Sequence, residues 1–161
     1  MAIPVQGGAP IVEGKFGVFI LGFPVGYFLT AKIPSMKVKK TEVQAAGTAY
    51  VTKYPSGIFE NVDDAEFELY QGTDGKADDA VDAWLRQSAD ARLQGASVVP
   101  AAAKRDVTVI QYDSDNTELR EWTLHGGFVV DPGPVELKNG SSDPSKRKLV
   151  VSIDWVESTR L

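Results

Sequence analysis

"DVTVIQYDSDNTELREWTLHGGFVV", residues 106–130, is the stretch on which the fold class turns. Its two apolar runs are short and rich in Val, Ile, Trp and Phe. They flank "SDNTE", a cluster of turn-forming and polar residues. That pattern predicts an antiparallel hairpin, because β-branched and aromatic residues suit a pleated, half-buried surface and the polar cluster reverses the chain. The period of two along the second run puts Glu121, Thr123 and His125 on one face, beside Trp122, Gly126 and Phe128.

The same period extends outward in both directions. "AEFELYQG" (65–72) turns Phe67 and Leu69 to a core and Glu66 and Glu68 to water, and "KLVVSIDWV" (148–156) reads as one strand with Leu149, Val151, Ile153 and Trp155 alternating along a face. "KFGVFIL" and "VGYFLTAKI" make two strands around the Gly22–Pro24 turn. "SMKVKKTEV" is a strand with one solvated or partner-facing side. One segment changes period: in "DGKADDAVDAWLRQSADARLQG" (74–95), Ala77, Val81, Trp84, Leu85 and Ser88 recur at helical spacing. Asp78, Asp79 and Asp82 stand near its start, Arg86 and Arg92 near its end, and Gly95 is a stop. The acidic residues are accounted for by the helix dipole. "SVVPAAAK" reads as a linker and "DPGPVELKNGSSDPSKR" as an exposed, turn-rich connection. The expectation is a mainly β, α+β domain spanning residues 1–161, a small antiparallel β-barrel or sandwich flanked by an α-helix.

Residues 44–62, "QAAGTAYVTKYPSGIFENV", carry no clean period and read as a long loop. Loops of that length inside a compact domain are uncommon and are usually functional. Tyr50, Tyr54, Ile58 and Phe59 make this one apolar, so it is expected to be covered by another subunit. Residues 1–14 are expected to form a flexible N-terminal arm.

Composition excludes several classes. The 161-residue chain carries a formal net charge of −5, which disfavours a protein that grips nucleic acid through its phosphates. It has no cysteine, so disulfides, thiolate nucleophiles and cysteine metal sites are out, and a reducing compartment suits it. No basic, then apolar, secretory leader opens the sequence. The uncharged run 16–31, "FGVFILGFPVGYFLTA", is shorter than the ~20 residues of a membrane helix and is broken by Gly22 and Pro24, so no membrane anchor is expected.

Candidate chemistry is thin. His125 is the only histidine, no G-x-S-x-G nucleophile turn occurs, and one histidine cannot build a multi-histidine metal site. His125 is therefore read as a residue of a surface or interface strand; the competing reading is a binding module or enzyme with a cleft beside Glu121, Trp122 and His125. "DSDNTE" begins like a calcium loop, but Thr117 and Glu118 stand where that loop needs Asp or Asn and then Gly. "QGTDGKADD" lacks the spacing of a phosphate loop and reads as a helix-entry turn. Asp63–Asp64 and Asp78–Asp79 are adjacent carboxylates that diverge in direction, solvated charge rather than an acid–base pair. No catalytic, cofactor-binding or metal-binding residue is assigned.

The order of elements resembles the tail tube proteins of contractile-tailed bacteriophages. The likeness runs through "GVFILGFPVGYFLTAKIPSMKVKKTEV", "KYPSG", "EFELYQGTDGKADDAVDAWL", "VTVIQYDSDNTELREWTLHGGFVVDPGPVEL" and "KLVVSIDWVES". In that family a strand ending in Gly leads into a helix with a Trp, as at Gly72 and Trp84, and a later strand pair carries a Trp, as at Trp122. The arm before Lys15 and the segment "AAGTAYVTKYPSGIF" are longer than the family's pattern, and both lie where its subunits touch. The resemblance implies hexameric rings stacked into a tube whose strands join in a continuous inner barrel. It implies partners too: further copies of the chain, a tail sheath, baseplate and terminator proteins, and a tape measure protein inside the channel during assembly. DNA would pass without sticking, in a virion tail put together in the host cytoplasm. Type VI secretion and bacteriocin tubes share the fold. Tyr50, Tyr54, Ile58 and Phe59 are the expected inter-subunit contacts.

Overall fold

A computed structural model of the chain describes residues 15–24, 26–89, 103–140, 142–143 and 145–161. The N-terminal arm, 1–14, lies outside them. The chain runs through β1 (Phe16–Ile20), β2 (Phe28–Lys32), β3 (Val38–Val43), β4 (Thr52–Phe59), β5 (Ala65–Tyr70), α1 (Lys76–Ser88), β6 (Arg105–Tyr112), β7 (Glu118–Asp131), β8 (Lys146–Ser152) and β9 (Trp155–Arg160). One antiparallel sheet takes the order β1-β6-β7-β8-β5-β2, with β9 also on β7, and β3 and β4 form a separate ribbon.

The hairpin that opened the sequence reading is the centre of this sheet. β7 is long enough to serve two wings: Arg120–His125 lie between β6 and β9, while Phe128–Asp131 pair with β8. The change of partner falls at Gly126–Gly127. Gly126 has φ +69, and a Cβ on Gly127 would stand 2.9 Å from the Arg105 carbonyl oxygen. Side chains are excluded at this crease by space as well as by backbone conformation. The sheet folds there, and the inner faces of its wings meet in one core. Val107, Val109 and Leu124 come from the first wing and Ala65, Phe67, Leu69, Leu149 and Val151 from the second. Glu66 and Glu68 face outward as expected and pair across strands with Lys148 at 3.2 Å and Lys146 at 3.5 Å. Among the described residues the path ends at β1 and β2 with no ladder joining them, and no closed barrel forms.

α1 closes one flank of the core with Ala77, Ala80, Val81 and Trp84. Trp84 is fully buried, donates its indole N–H to the Ala103 carbonyl at 2.7 Å, and meets Phe23 edge to face. The helix stops earlier than its periodicity suggests. Ala89 already has extended backbone, φ −157, while Arg92 and Gly95 lie outside the described residues.

Two strand readings are corrected. Residues 44–62 are not one loop: Thr52–Phe59 form β4, antiparallel to β3 with Val43 opposite Thr52 and Val38 opposite Phe59. Every residue of β3 and all of β4 except Ser56 are exposed, so neither face was selected for burial and no apolar alternation exists to be read. Residues 148–156 are not one strand either. The chain breaks at Ile153–Asp154, where the Asp154 N–H donates to the His125 carbonyl at 2.8 Å, and resumes as β9 with Trp155 on the outside.

Candidate assembly interface

The β3–β4 ribbon stands clear of the core and carries the apolar side chains singled out in the sequence. Tyr50 is 72% exposed, Tyr54 55%, Ile58 61% and Phe59 56%. Val38, Val43 and Val51 on the same ribbon are exposed as well. Together they make an apolar patch on one projecting element, the kind of surface from which candidate interaction sites are drawn. Its charge is mostly basic: Lys37 pairs with Asp63 at 3.5 Å and Lys40 with Glu42 at 3.1 Å, and Lys39 and Lys53 add to them. The connection back to the domain is narrow, since the Glu60 N–H donates to the Lys37 carbonyl at 2.7 Å and closes the base of the ribbon. Among the described residues β1, β2 and β9 each keep one unpaired edge, and such edges pair readily with another chain.

The structure separates the residues of the competing cleft. His125 and Glu121 lie on the outer face of β7, whereas Trp122 points inward and packs against the core. His125 stacks on Trp155 with ring centroids 3.9 Å apart and stands 3.3 Å from a carboxylate at each ring nitrogen, Asp106 at Nδ1 and Glu157 at Nε2. These contacts tie β6, β7 and β9 together. None of them presents a nucleophile to the imidazole. At the hairpin turn, the Asp113 carboxylate accepts the Asp115 and Thr117 N–H groups at 2.8 and 2.9 Å, so the calcium-like stretch is a turn held by its own first residue.

The helix-entry turn also forms as read. Asp74 accepts the Lys76 N–H at 3.3 Å and the Tyr27 hydroxyl at 2.5 Å. The bond to Asp74 pushes the Tyr27 phenol up to about 12, desolvation adding to it, and the donated Tyr27 hydroxyl and Lys76 N–H together lower the Asp74 carboxyl.

One polar cluster escaped the sequence reading. Arg147 is buried, donates to the Pro132 carbonyl at 2.6 Å and to Asp78 at 3.0 Å, and has Asp82 at 3.6 Å. Gln71 also donates to Asp78. Asp78 and Asp82 therefore clamp α1 to β8 and to the connection before it, beyond any service to the helix dipole. The signal was present in the period of two: Arg147 has the parity of Leu149 and Val151, the inward side of β8.

No protein-family model and no characterised protein sequence matches the chain. Solved structures do. A chain of the anti-feeding prophage tube terminating cap superposes with TM-score 0.74 over 100% of both chains at 18% identity. A chain of the PVC sheath–tube complex, from an extracellular contractile injection system, gives TM-score 0.71 at 18% identity over 94% of this chain and 93% of that one. Hcp1 from Flavobacterium johnsoniae gives 0.54 at 13% identity over 91% and 97%. The chain has the tail-tube fold. Among the described residues that fold is a mainly β arrangement of antiparallel strands with one flanking helix. Among the described residues no helix is long and apolar enough to cross a membrane.

Proposed function

We propose that the chain is the tube subunit of a contractile injection device, closing into hexameric rings that stack into a hollow tube within a contractile sheath. The observation that carries this is the likeness over nearly the whole chain to chains from a sheath–tube complex and a tube terminating cap. The ribbon supports it, since Tyr50, Tyr54, Ile58 and Phe59 are exposed among the described residues and a neighbouring subunit would cover them. The edges of β1, β2 and β9, unpaired among the described residues, offer ladders through which subunits would join, and closing a ring in this way removes the aggregation hazard of open edges. Sheath, terminator and baseplate proteins are the partners of such a tube, with a tape measure protein inside it during assembly.

The phage tail is one device of this class, and the order of sequence motifs favours it. There the cargo is DNA, and a subunit with net charge −5 suits a channel through which a polyanion slides. Capsid genes beside the gene for this chain would mark a phage; sheath and baseplate genes without them would mark a tail-like injection system. The role itself is tested by negative-stain microscopy of the concentrated protein and of the particle from its source. Rings or hollow tubes are expected. A chain that stays monomeric at every concentration and is missing from any particle overturns the reading.

A further inference from the structure

The wing built from β2, β5, β8 and the end of β7 carries two exposed apolar surfaces, and the strand register puts them at opposite ends of it. The ribbon is the first. Its two tethers, after Lys32 and before Ala65, both leave the end at which Ala65 stands opposite Val151. The second surface is the segment 130–137, on which Val130, Val135 and Leu137 are exposed. It runs along β8 to the other end, where Tyr70 stands opposite Lys146. The Pro132 carbonyl accepts the Nε–H of the buried Arg147 at 2.6 Å, a Cβ on Gly133 would collide with the Lys148 carbonyl, and Leu137 walls a cleft with Ser145 and Lys146. The segment is thus seated firmly on the body of the protein. β5 spans the wing with 6 residues, so at ~3.3 Å per residue the two surfaces are separated by roughly 20 Å.

The surfaces are opposite in charge. Residues 37–59 hold four lysines and one glutamate in a chain of net charge −5, whereas residues 130–137 hold Asp131 and Glu136 and no cation. Lys39 and Lys53 on the ribbon, and Glu136 on the segment, have no ion-pair partner among the described residues. We propose that the segment 130–137 of one copy receives the ribbon of the next. Both surfaces are apolar, their charges complement each other, and they are displaced along one strand direction. Copies related by a shift in that direction therefore bring each ribbon to the next segment. Head-to-tail contacts of this kind are heterologous and repeat without closing, which is what a stack requires. This is the stacking contact of the proposed tube and rests on that reading.

The absence of cysteine makes the test direct. A full-length Tyr54→Cys chain, coupled to benzophenone maleimide, is mixed in trace amount with unaltered chains labelled with heavy nitrogen, at a concentration at which the unaltered protein associates. After illumination the sedimented assemblies are digested and their cross-linked peptides identified by mass spectrometry. Joining of the probe to residues 130–137 of a heavy chain is the expected result. Cross-links to another surface of the heavy chain, or none, overturn the proposal and leave the tube reading standing. Unaltered protein that associates at no concentration overturns the tube reading and this contact with it. A second arm tests the charges. Glu136→Lys should raise the concentration needed for association about fivefold, and adding Lys39→Glu and Lys53→Glu should bring it back toward that of the unaltered chain. All three positions are exposed, so circular dichroism should show the fold retained. An unchanged threshold in Glu136→Lys, or a triple variant that associates less well than the single one, would overturn the proposal.

Discussion

Arg147 shows at the level of single residues how a charge enters the core of this fold. Its guanidinium is buried, and the carboxylates that neutralise it come from α1. Removing one partner of such a pair leaves an uncompensated buried charge, at a cost of about 3–5 kcal/mol. Asp82 remains near in an Asp78→Ala variant, so a loss at the lower end of that range is expected, read as a fall in the midpoint of urea unfolding. Tyr27 and Asp74 make a different prediction, because their bond needs the phenol protonated and the carboxyl ionised. The Tyr27 pKa lies above the ordinary 10.0, at about 12, so the contribution is complete below pH 10 and is lost as pH rises from 10 to about 12. The Asp74 pKa is lowered, so on the acid side the contribution is lost as pH falls through the carboxylate range. In a spectrophotometric titration Tyr27 should ionise at about 12, and Asp74→Asn should lower it toward the ordinary 10.0. Titration of Tyr27 at the ordinary 10.0 in the unaltered protein would refute the assignment.

Among the elements, β7 depends on its crease. At Gly126 a Cβ would meet the Asp154 carboxylate at 2.1 Å, and the backbone lies at φ +69. Gly126→Ala therefore combines a steric conflict with the roughly 1–2 kcal/mol cost of left-handed backbone. Adding Asp154→Ala should recover the steric part and leave the backbone part, since the exposed Lys104–Asp154 pair contributes little. Chemical denaturation of the two variants separates the contributions; equal losses in both would refute the argument. Elements were legible in the sequence where one face is buried and the other wet. β5 alternates buried and half-buried residues along its whole length, and α1 repeats its apolar side at helical spacing. β4 was illegible because both its faces are wet and Pro55 and Gly57 interrupt it. The break between β8 and β9 was hidden because Trp155 continues the parity of Ile153, and only the bond from Asp154 to His125 ends the strand. The ribbon's apolar residues could be named from sequence; the strand that carries them could not.

For the molecule as a whole, the core and the ribbon are separable. No residue of β3 or β4 belongs to the core cluster, so stability resides in the folded sheet and α1 while the exposed apolar surface resides in the ribbon. Replacing Tyr54, Ile58 and Phe59 together with Ser should leave the thermal transition of the monomer nearly unchanged and shorten or abolish tubes seen by microscopy. Normal tubes from that variant, or a monomer that no longer folds, would refute the separation. The pairing of β1 with β6 sets a timetable for folding. Phe16 must find Gln111, and Lys15 must reach Ser114 across 99 positions of chain, so the first wing cannot start until β6 exists. β3 and β4 are near neighbours in sequence and can pair long before that, because local contacts close faster than distant ones. During synthesis the exposed apolar ribbon is thus ready while the body that must hold it is still unpaired. β9 follows every other described strand, and the first wing waits for it. Slow completion of that wing is the interval in which a nascent chain could join its neighbours wrongly, and the interval in which a chaperone would have most to do.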